Sequence, residues 1–358
     1  MHILGFAGTA KNTGKTTTAL HMLDLVASAG YRIALTSIGY DGENTDHITG
    51  LPKPRYVVQP GTVIATAEKC LNYGSAKLAD IQPTGIHTIL GEISIATVAT
   101  PGNVVLAGAN RKVDIHQLME QLQNRRIEVT FLDGALNRLA AMTMVDGLIL
   151  STGAAFDNRI PVITEHARAM ESLFHLPKYQ GSQVLNGNKV CYLNHLGQVK
   201  EHAYGSILDE ASAGTVKTWL SEKGPGMLFT PGIFDPELFQ VTIKSLNAEL
   251  AQKEFVFSNP LNLLSTGRPD CWQSSFNYLK ERGCSVSYLS PIHLNFITVN
   301  PFYPRYLQQT ASYVPEFVDK HELLESVRKV IKTTTVIDIL QPPYPDPLIL
   351  SHLKRSTP

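Results

Sequence analysis

The chain has 358 residues, of which 43% are hydrophobic and 17% charged, below the roughly 25% charged of ordinary soluble domains. Its 31 basic and 31 acidic residues cancel, so the overall balance supplies no one-signed surface for a long phosphate polymer; a local patch stays open, but nucleic acid is not an expected partner. No apolar window approaches the about 18 residues of a membrane span, and no basic segment precedes an apolar one at the amino terminus, so neither a membrane helix nor a signal peptide is expected and the expected compartment is the cytoplasm.

In chain order, His2–Ala7 reads as a short buried strand. Lys15–Ala29 follows as a helix with a broad apolar face through Ala19, Leu20, Met22, Leu23, Leu25 and Val26, and Gly30 suits its carboxyl end. Tyr31–Ile38 returns to an extended apolar run. Strand, loop, helix and strand make a βαβ unit, the setting of a parallel sheet, so the fold class is α/β. Prolines 52, 54, 60 and 83 break up the next stretch, where Gly61–Leu71 fits a strand or a helix. Strands are predicted at His87–Ile93, Asn103–Ala107, Glu128–Leu132 and Leu148–Ser151, with helices at Ile115–Gln123 and Pro161–Phe174. Composition changes over residues 176–216, and from about residue 217 a second alternating series begins. It includes helices at Pro236–Ala251, Cys271–Glu281 and Glu322–Ile331, and strands at Met227–Thr230, Glu254–Phe257, Val286–Leu289, Phe296–Val299 and Thr335–Leu340. Asp235 reads as an amino cap. The proline-rich tail PPYPDPLILSHLKRSTP reads as coil. Residues 1–178 are therefore read as one α/β domain and 179–358 as a second, for substrate or partner binding. The cysteines at 70, 191, 271 and 284 have no metal-ligand spacing and read as buried thiols.

The chemistry concentrates in AGTAKNTGKTTT, residues 7–18. A strict phosphate-loop pattern, G-x-x-x-x-G-K-[ST], would place its first glycine at position 9, which is Thr9; Gly8 sits one place early. The physical requirements are nonetheless present. Gly14 tolerates an unusual backbone angle, Lys15 and Thr16 follow at once, and the helix starts there, so amides can bend round an anion. Lys11 brings a second cation into the loop, or stands as a solvated lysine.

KNTGKTTT resembles the phosphate loop of P-loop NTPases of the SIMIBI type, the group that includes dethiobiotin synthetase and the nucleotide-binding protein of molybdopterin-guanine dinucleotide synthesis. The likeness rests on Lys11, Asn12, Thr13, Gly14, Lys15, Thr16 and Thr17, and extends over about residues 1–175. It implies a three-layer parallel-sheet nucleotide-binding domain in the first part of the chain, ahead of the second α/β domain read from the later alternating series. Thr9, Ala10, Lys11, Asn12, Thr13, Gly14, Lys15, Thr16 and Thr17 would line the nucleotide, ATP ahead of GTP, with Lys15 on the β and γ phosphates and Thr16 as a magnesium ligand.

Magnesium needs further oxygen ligands near neighbouring strand ends. One group is SIGYDGENTD, where Asp41 leaves the strand first and Glu43 and Asp46 follow; the group also reads as an acidic surface turn. The other is VTFLDGALNRL, where Asp133 ends a strand before Gly134 and Ala135; it resembles the family's strand-end acid, or caps a helix. Arg138, and the pair Arg111-Lys112, could meet an anionic substrate group, and Ser151, Thr152 and Asn158 a nucleobase. Lys15, Asp133 and Asp41 are thus the candidate catalytic residues, with Thr16, Asp41 and Asp133 as metal ligands. Glu43, Glu92 or Asp46 could orient a nucleophile. The expected function is magnesium- and ATP-dependent phosphoryl transfer in small-molecule or cofactor metabolism. The alternative is an ATPase accessory protein, a chaperone or reactivating factor, for a cofactor-dependent enzyme such as a cobalamin-dependent one. The expected partner is correspondingly a small-molecule substrate or a client enzyme, with self-association left open.

Overall fold

The computed structural model describes residues 1–41, 56–134, 144–181, 187–338, 340, 346–351 and 353. The chain is mixed α/β and forms two compact units, Met1–Glu165 with Leu294–Pro358, and His166–His293.

The first unit is built on a nine-stranded sheet. Its strands in chain order are β1 (His2–Gly8), β2 (Ile33–Ser37), β3 (Val63–Ala67), β4 (Lys77–Thr88), β5 (Gly91–Thr100), β6 (Val129–Asp133), β7 (Gly147–Gly153), β8 (His293–Asn300) and β9 (Thr335–Asp338). They lie in the order β9-β8-β7-β1-β6-β2-β3-β5-β4. Pairing is parallel from β7 through β1, β6 and β2 to β3, and between β8 and β9. The β4–β5 hairpin is added antiparallel at one edge. β2, β6 and β7 are buried at every residue. That is the signature of parallel strands covered on both faces, and it explains their unbroken apolar runs in the sequence.

Helix α1 (Lys15–Ser28) lies on one face, burying Ala19, Met22, Leu23 and Val26 against Leu4 and Phe6 of β1, Leu35 of β2 and Phe131 of β6. The rings of Phe6 and Phe131 stand 5.0 Å apart. Burying each of the large aliphatic side chains contributes roughly 1.5–3 kcal/mol, which fixes α1 to the strand centre despite three weakly helix-forming threonines in its first turn. Its carboxyl end closes as the glycine suggests. Gly30 is left-handed at φ 83°, its amide donates to Ala27, and the Tyr31 amide donates back to Val26.

Several expectations are corrected. Residues 294–358, placed by sequence in the second domain, supply β8 and β9 to the first sheet, so the second unit interrupts the first along the chain. The strand expected at His87–Ile93 spans a turn. Thr88 ends β4, its hydroxyl donates to the Gly91 carbonyl, and Gly91 at φ 100° starts β5. Gly61–Leu71 is a strand to Ala67, then a short 3-10 turn over Glu68–Cys70. The tail holds a helix at Asp346–Ser351, with Ile349 and Leu353 packed into the α1-side core. Phe302–Leu307 and Ser312–Phe317 form an antiparallel hairpin.

The second unit carries a five-stranded sheet in the order Val199–Glu201, Cys191–Asn194, Gly226–Thr230, Lys253–Phe257, Ser285–Tyr288. The first three are antiparallel and the last three parallel. Its core is aromatic: Phe239 packs on Phe234, Phe255, Phe257 and Trp272. Asp235 caps Pro236–Ser245 by accepting from the Glu237 and Leu238 amides, as the sequence suggested. The buried Lys253 ammonium is satisfied by the Tyr192 hydroxyl and the Glu222 and Gly224 carbonyls. All four cysteines are free thiols. Among the described residues no helix is long and apolar enough to cross a membrane.

Both tryptophans, Trp219 and Trp272, lie in this second unit, and Trp272 is fully buried. We expect Trp272→Ala to lower its stability by about 3–5 kcal/mol through loss of transfer energy and cavity formation. The midpoint of urea unfolding followed by Trp219 fluorescence measures this.

Candidate functional site

β1 runs apolar to Gly8, and the ladder to β7 continues one residue further, with the Thr9 amide donating to the Ser151 carbonyl at 2.9 Å. The chain then turns sharply. Thr13 is buried, and its hydroxyl donates to the Ala10 carbonyl at 2.9 Å. A Cβ on Gly8 would stand 2.8 Å from the Thr13 hydroxyl oxygen, so the early glycine is required by the fold of this loop. Asn12 at φ 65° and Gly14 at φ 92° are both left-handed. Asparagine tolerates this region better than most residues, and glycine enters it without a steric penalty. α1 begins at the next residue.

The amino terminus of α1 has no side-chain cap and no acidic residue in its first turn. Its partial positive charge, about half an elementary charge, is therefore not offset by a carboxylate of its own turn. Lys11 is exposed on the loop, and Thr16 and Thr17 are half-buried.

The acidic partner comes from β6. Asp133 is the last residue of that strand, opposite Phe6 of β1 and Ser37 of β2 in register. Side chains two apart on a strand share a face, so Asp133 projects to the same side as Phe131, the side that α1 covers. Its carboxylate meets the Lys15 ammonium at 2.6 Å through Oδ1, and accepts from the Tyr56 hydroxyl at 2.6 Å through Oδ2. The Lys15 side chain is 17% exposed and that of Asp133 0%, so the pair is largely withdrawn from water. Desolvation of such a pair offsets much of its attraction, but either ion alone in the same place would be costly.

A second polar layer lies under the loop. The hydroxyls of Thr18 on α1, Ser151 on β7 and Thr298 on β8 approach within hydrogen-bond reach, with Thr298 donating to Ser151 at 2.8 Å and standing 3.0 Å from Thr18. Thr18 donates onward to the Gly14 carbonyl at 2.9 Å. Thr9 donates to the Thr152 hydroxyl at 3.2 Å, and Asn300 Nδ2 donates to the Asn12 carbonyl at 3.2 Å.

The structure therefore brings Lys15 and Asp133 together at the end of the sheet's central strands. Asp41 lies in a two-residue strand, Tyr40–Asp41, with its backbone opposite Leu106. Glu43, Asp46, Ala135 and Arg138 lie outside the described residues. Other candidates turn out to be engaged in local structure. Arg111 forms a bidentate pair with Asp114, both contacts at 2.7 Å, at the start of the helix Lys112–Asn124. Glu92 accepts from the Gly85 amide at 2.7 Å within the β4–β5 hairpin. Ser151 and Thr152 belong to the hydroxyl layer. Sequence reasoning missed Tyr56, set in a proline-broken stretch, and Thr298 and Asn300. The only sign of the last two was a polar residue at alternate positions of the apolar run ITVN, residues 297–300.

No family model matches the chain, and no curated protein sequence matches it.

Without any ligand, we expect Lys15→Ala to lower the unfolding free energy by about 3 kcal/mol, because it leaves Asp133 buried and uncompensated. Adding Asp133→Asn should return part of that loss. Urea denaturation of both single variants and the double variant measures the coupling, and strictly additive effects would show that the two side chains do not depend on each other.

Proposed function

We propose that the protein binds a nucleoside triphosphate with magnesium on the loop Thr9–Thr17 and carries out phosphoryl transfer, with ATP as the preferred nucleotide. The observation that carries this reading is the juxtaposition of an uncapped helix amino terminus, entered through left-handed Gly14, with the buried Lys15–Asp133 pair. The donor set fits a magnesium triphosphate in charge. An anion would find backbone amides, a helix dipole and the ammonium of Lys15; a cation would find the Asp133 carboxylate and the Thr16 hydroxyl. The pair is complementary to the ligand in a specific sense. Lys15 can exchange one anionic oxygen, on Asp133, for another on a phosphate, and Asp133 can exchange the ammonium for the metal. Neither charge is left unpaired by that exchange, which keeps the cost of remodelling the buried pair low.

Magnesium, when bound, neutralises charge on the phosphate oxygens and holds them in place. The chain's own residues do the rest. Lys15 stabilises charge on the transferred group, and the amides of the loop's second half orient the phosphates. Tyr56, through its hydroxyl on Oδ2, keeps the Asp133 carboxylate aimed while Lys15 moves. Asp41 is the second acidic candidate on the strand-to-loop segment after β2.

Titration calorimetry of the full chain with magnesium and ATP should give a binding isotherm, and Lys15→Ala should weaken it about a hundredfold, the worth of a charge-assisted contact. At a hundred times Kd, the ligand should stabilise the chain by about 2.7 kcal/mol in a thermal shift. Absence of heat with both ATP and GTP, or a Lys15→Ala isotherm equal to that of the native chain, would refute the reading.

A further inference from the structure

We propose that Asn300, the last residue of β8, is the positioning residue that sets the peptide plane between Asn12 and Thr13 for anion binding, an inference that rests on the triphosphate reading above. Asn300 is 288 residues away from Asn12 in the chain, yet its Nδ2 donates to the Asn12 carbonyl at 3.2 Å. It is 8% exposed, and its other polar groups are also used. Oδ1 accepts from the Phe302 amide at 3.1 Å, and the backbone carbonyl accepts from the Ala154 amide at 2.9 Å, just past β7. Both polar atoms of the side chain are thus engaged, Nδ2 on the loop and Oδ1 on the Phe302 amide, and it has little freedom to rotate away from the loop.

The consequence follows from peptide geometry. In a trans peptide the carbonyl and the next amide point in opposite directions across one plane. Holding the Asn12 carbonyl toward Asn300 therefore aims the Thr13 N–H away from Asn300. Asn12 at φ 65° is a left-handed residue with a side chain, a conformation asparagine tolerates better than most residues but does not adopt unless its surroundings favour it. A rotation of that plane would turn a carbonyl oxygen to where an amide stood, and would replace attraction for an anion by repulsion. Asn300 opposes the rotation in a second way, by contact. A Cβ on Gly14 would lie 3.2 Å from Asn300 Nδ2 and 3.3 Å from its Cβ, so the asparagine side chain packs directly against the other left-handed residue of the loop. Thr298, two residues earlier on the same strand face, joins the hydroxyl layer beneath the first turn of α1. The strand that follows the inserted unit thus fastens both the loop and the start of the helix.

The test uses the full chain with magnesium and ATP, in titration calorimetry, together with the amide resonance of Thr13 in the ligand-free protein. Asn300→Ala removes the donor and should weaken binding about tenfold, the worth of one hydrogen bond. Asn300→Leu keeps the approximate volume without donor or charge; it should weaken binding to a similar extent, and it serves if Asn300→Ala does not fold. Both should shift the Thr13 amide resonance, and neither should alter the urea midpoint enough to explain the loss of affinity. A residue with a merely structural role would lower the urea midpoint and leave both the affinity of the folded protein and the Thr13 resonance in place, which would overturn the proposal. Native chain that binds, with variants that bind equally well, would overturn it while leaving the triphosphate reading intact. Native chain that does not bind ATP would overturn both.

Discussion

The ion pair between Lys15 and Asp133 ties the first helix to the centre of the large sheet, and the surrounding arrangement follows from the need to satisfy it. Asp133 has no contact with solvent, so its charge is tolerable only because an ammonium stands at 2.6 Å and a tyrosine hydroxyl covers the other oxygen. Lys15 can reach it because α1 starts at that residue. α1 starts there because Gly14 takes a left-handed turn that glycine enters without a steric penalty. The parallel pairing of β6 with β1 and β2 then places the carboxylate beside the loop that follows β1. A pair with this burial joins the helix to the strand, and neither charge could stay in place without the other.

Much of this was legible in the sequence, for an identifiable reason. Parallel strands buried on both faces leave continuous apolar runs, and β1, β2, β6 and β7 were each readable as such. The loop announced itself through Gly14-Lys15-Thr16 between a strand and an amphipathic helix. Gly8 was out of step with a simple pattern, and the structure shows why: the position opposes the Thr13 hydroxyl, so the glycine serves this loop's own path.

What was not legible were the addresses of elements otherwise read correctly. Phe296–Val299 and Thr335–Leu340 were recognised as extended, but an apolar run carries no label for the sheet it joins, and both were assigned to the wrong unit. The interactions that decide the matter are polar and non-local: Thr298 with Ser151 and Thr18, and Asn300 with Asn12. The β4–β5 hairpin failed for a different reason. Its turn at Ile89 and Leu90 is apolar in sequence and is made by a threonine hydroxyl and a left-handed glycine rather than by a recognisable turn dipeptide. Tyr56 was hidden among prolines, where periodicity gives no guidance about burial.

The central claim is that the loop and the Lys15–Asp133 pair form one site for a magnesium nucleoside triphosphate. A crystal structure of the full chain grown with magnesium and a non-hydrolysable ATP analogue tests it most directly. We expect the phosphates against the backbone between Asn12 and Thr16, the Lys15 ammonium moved from Asp133 to a phosphate oxygen, and the Asp133 carboxylate facing the metal. Analogue bound elsewhere, or a loop left empty at saturating analogue with Lys15 still on Asp133, would contradict the account.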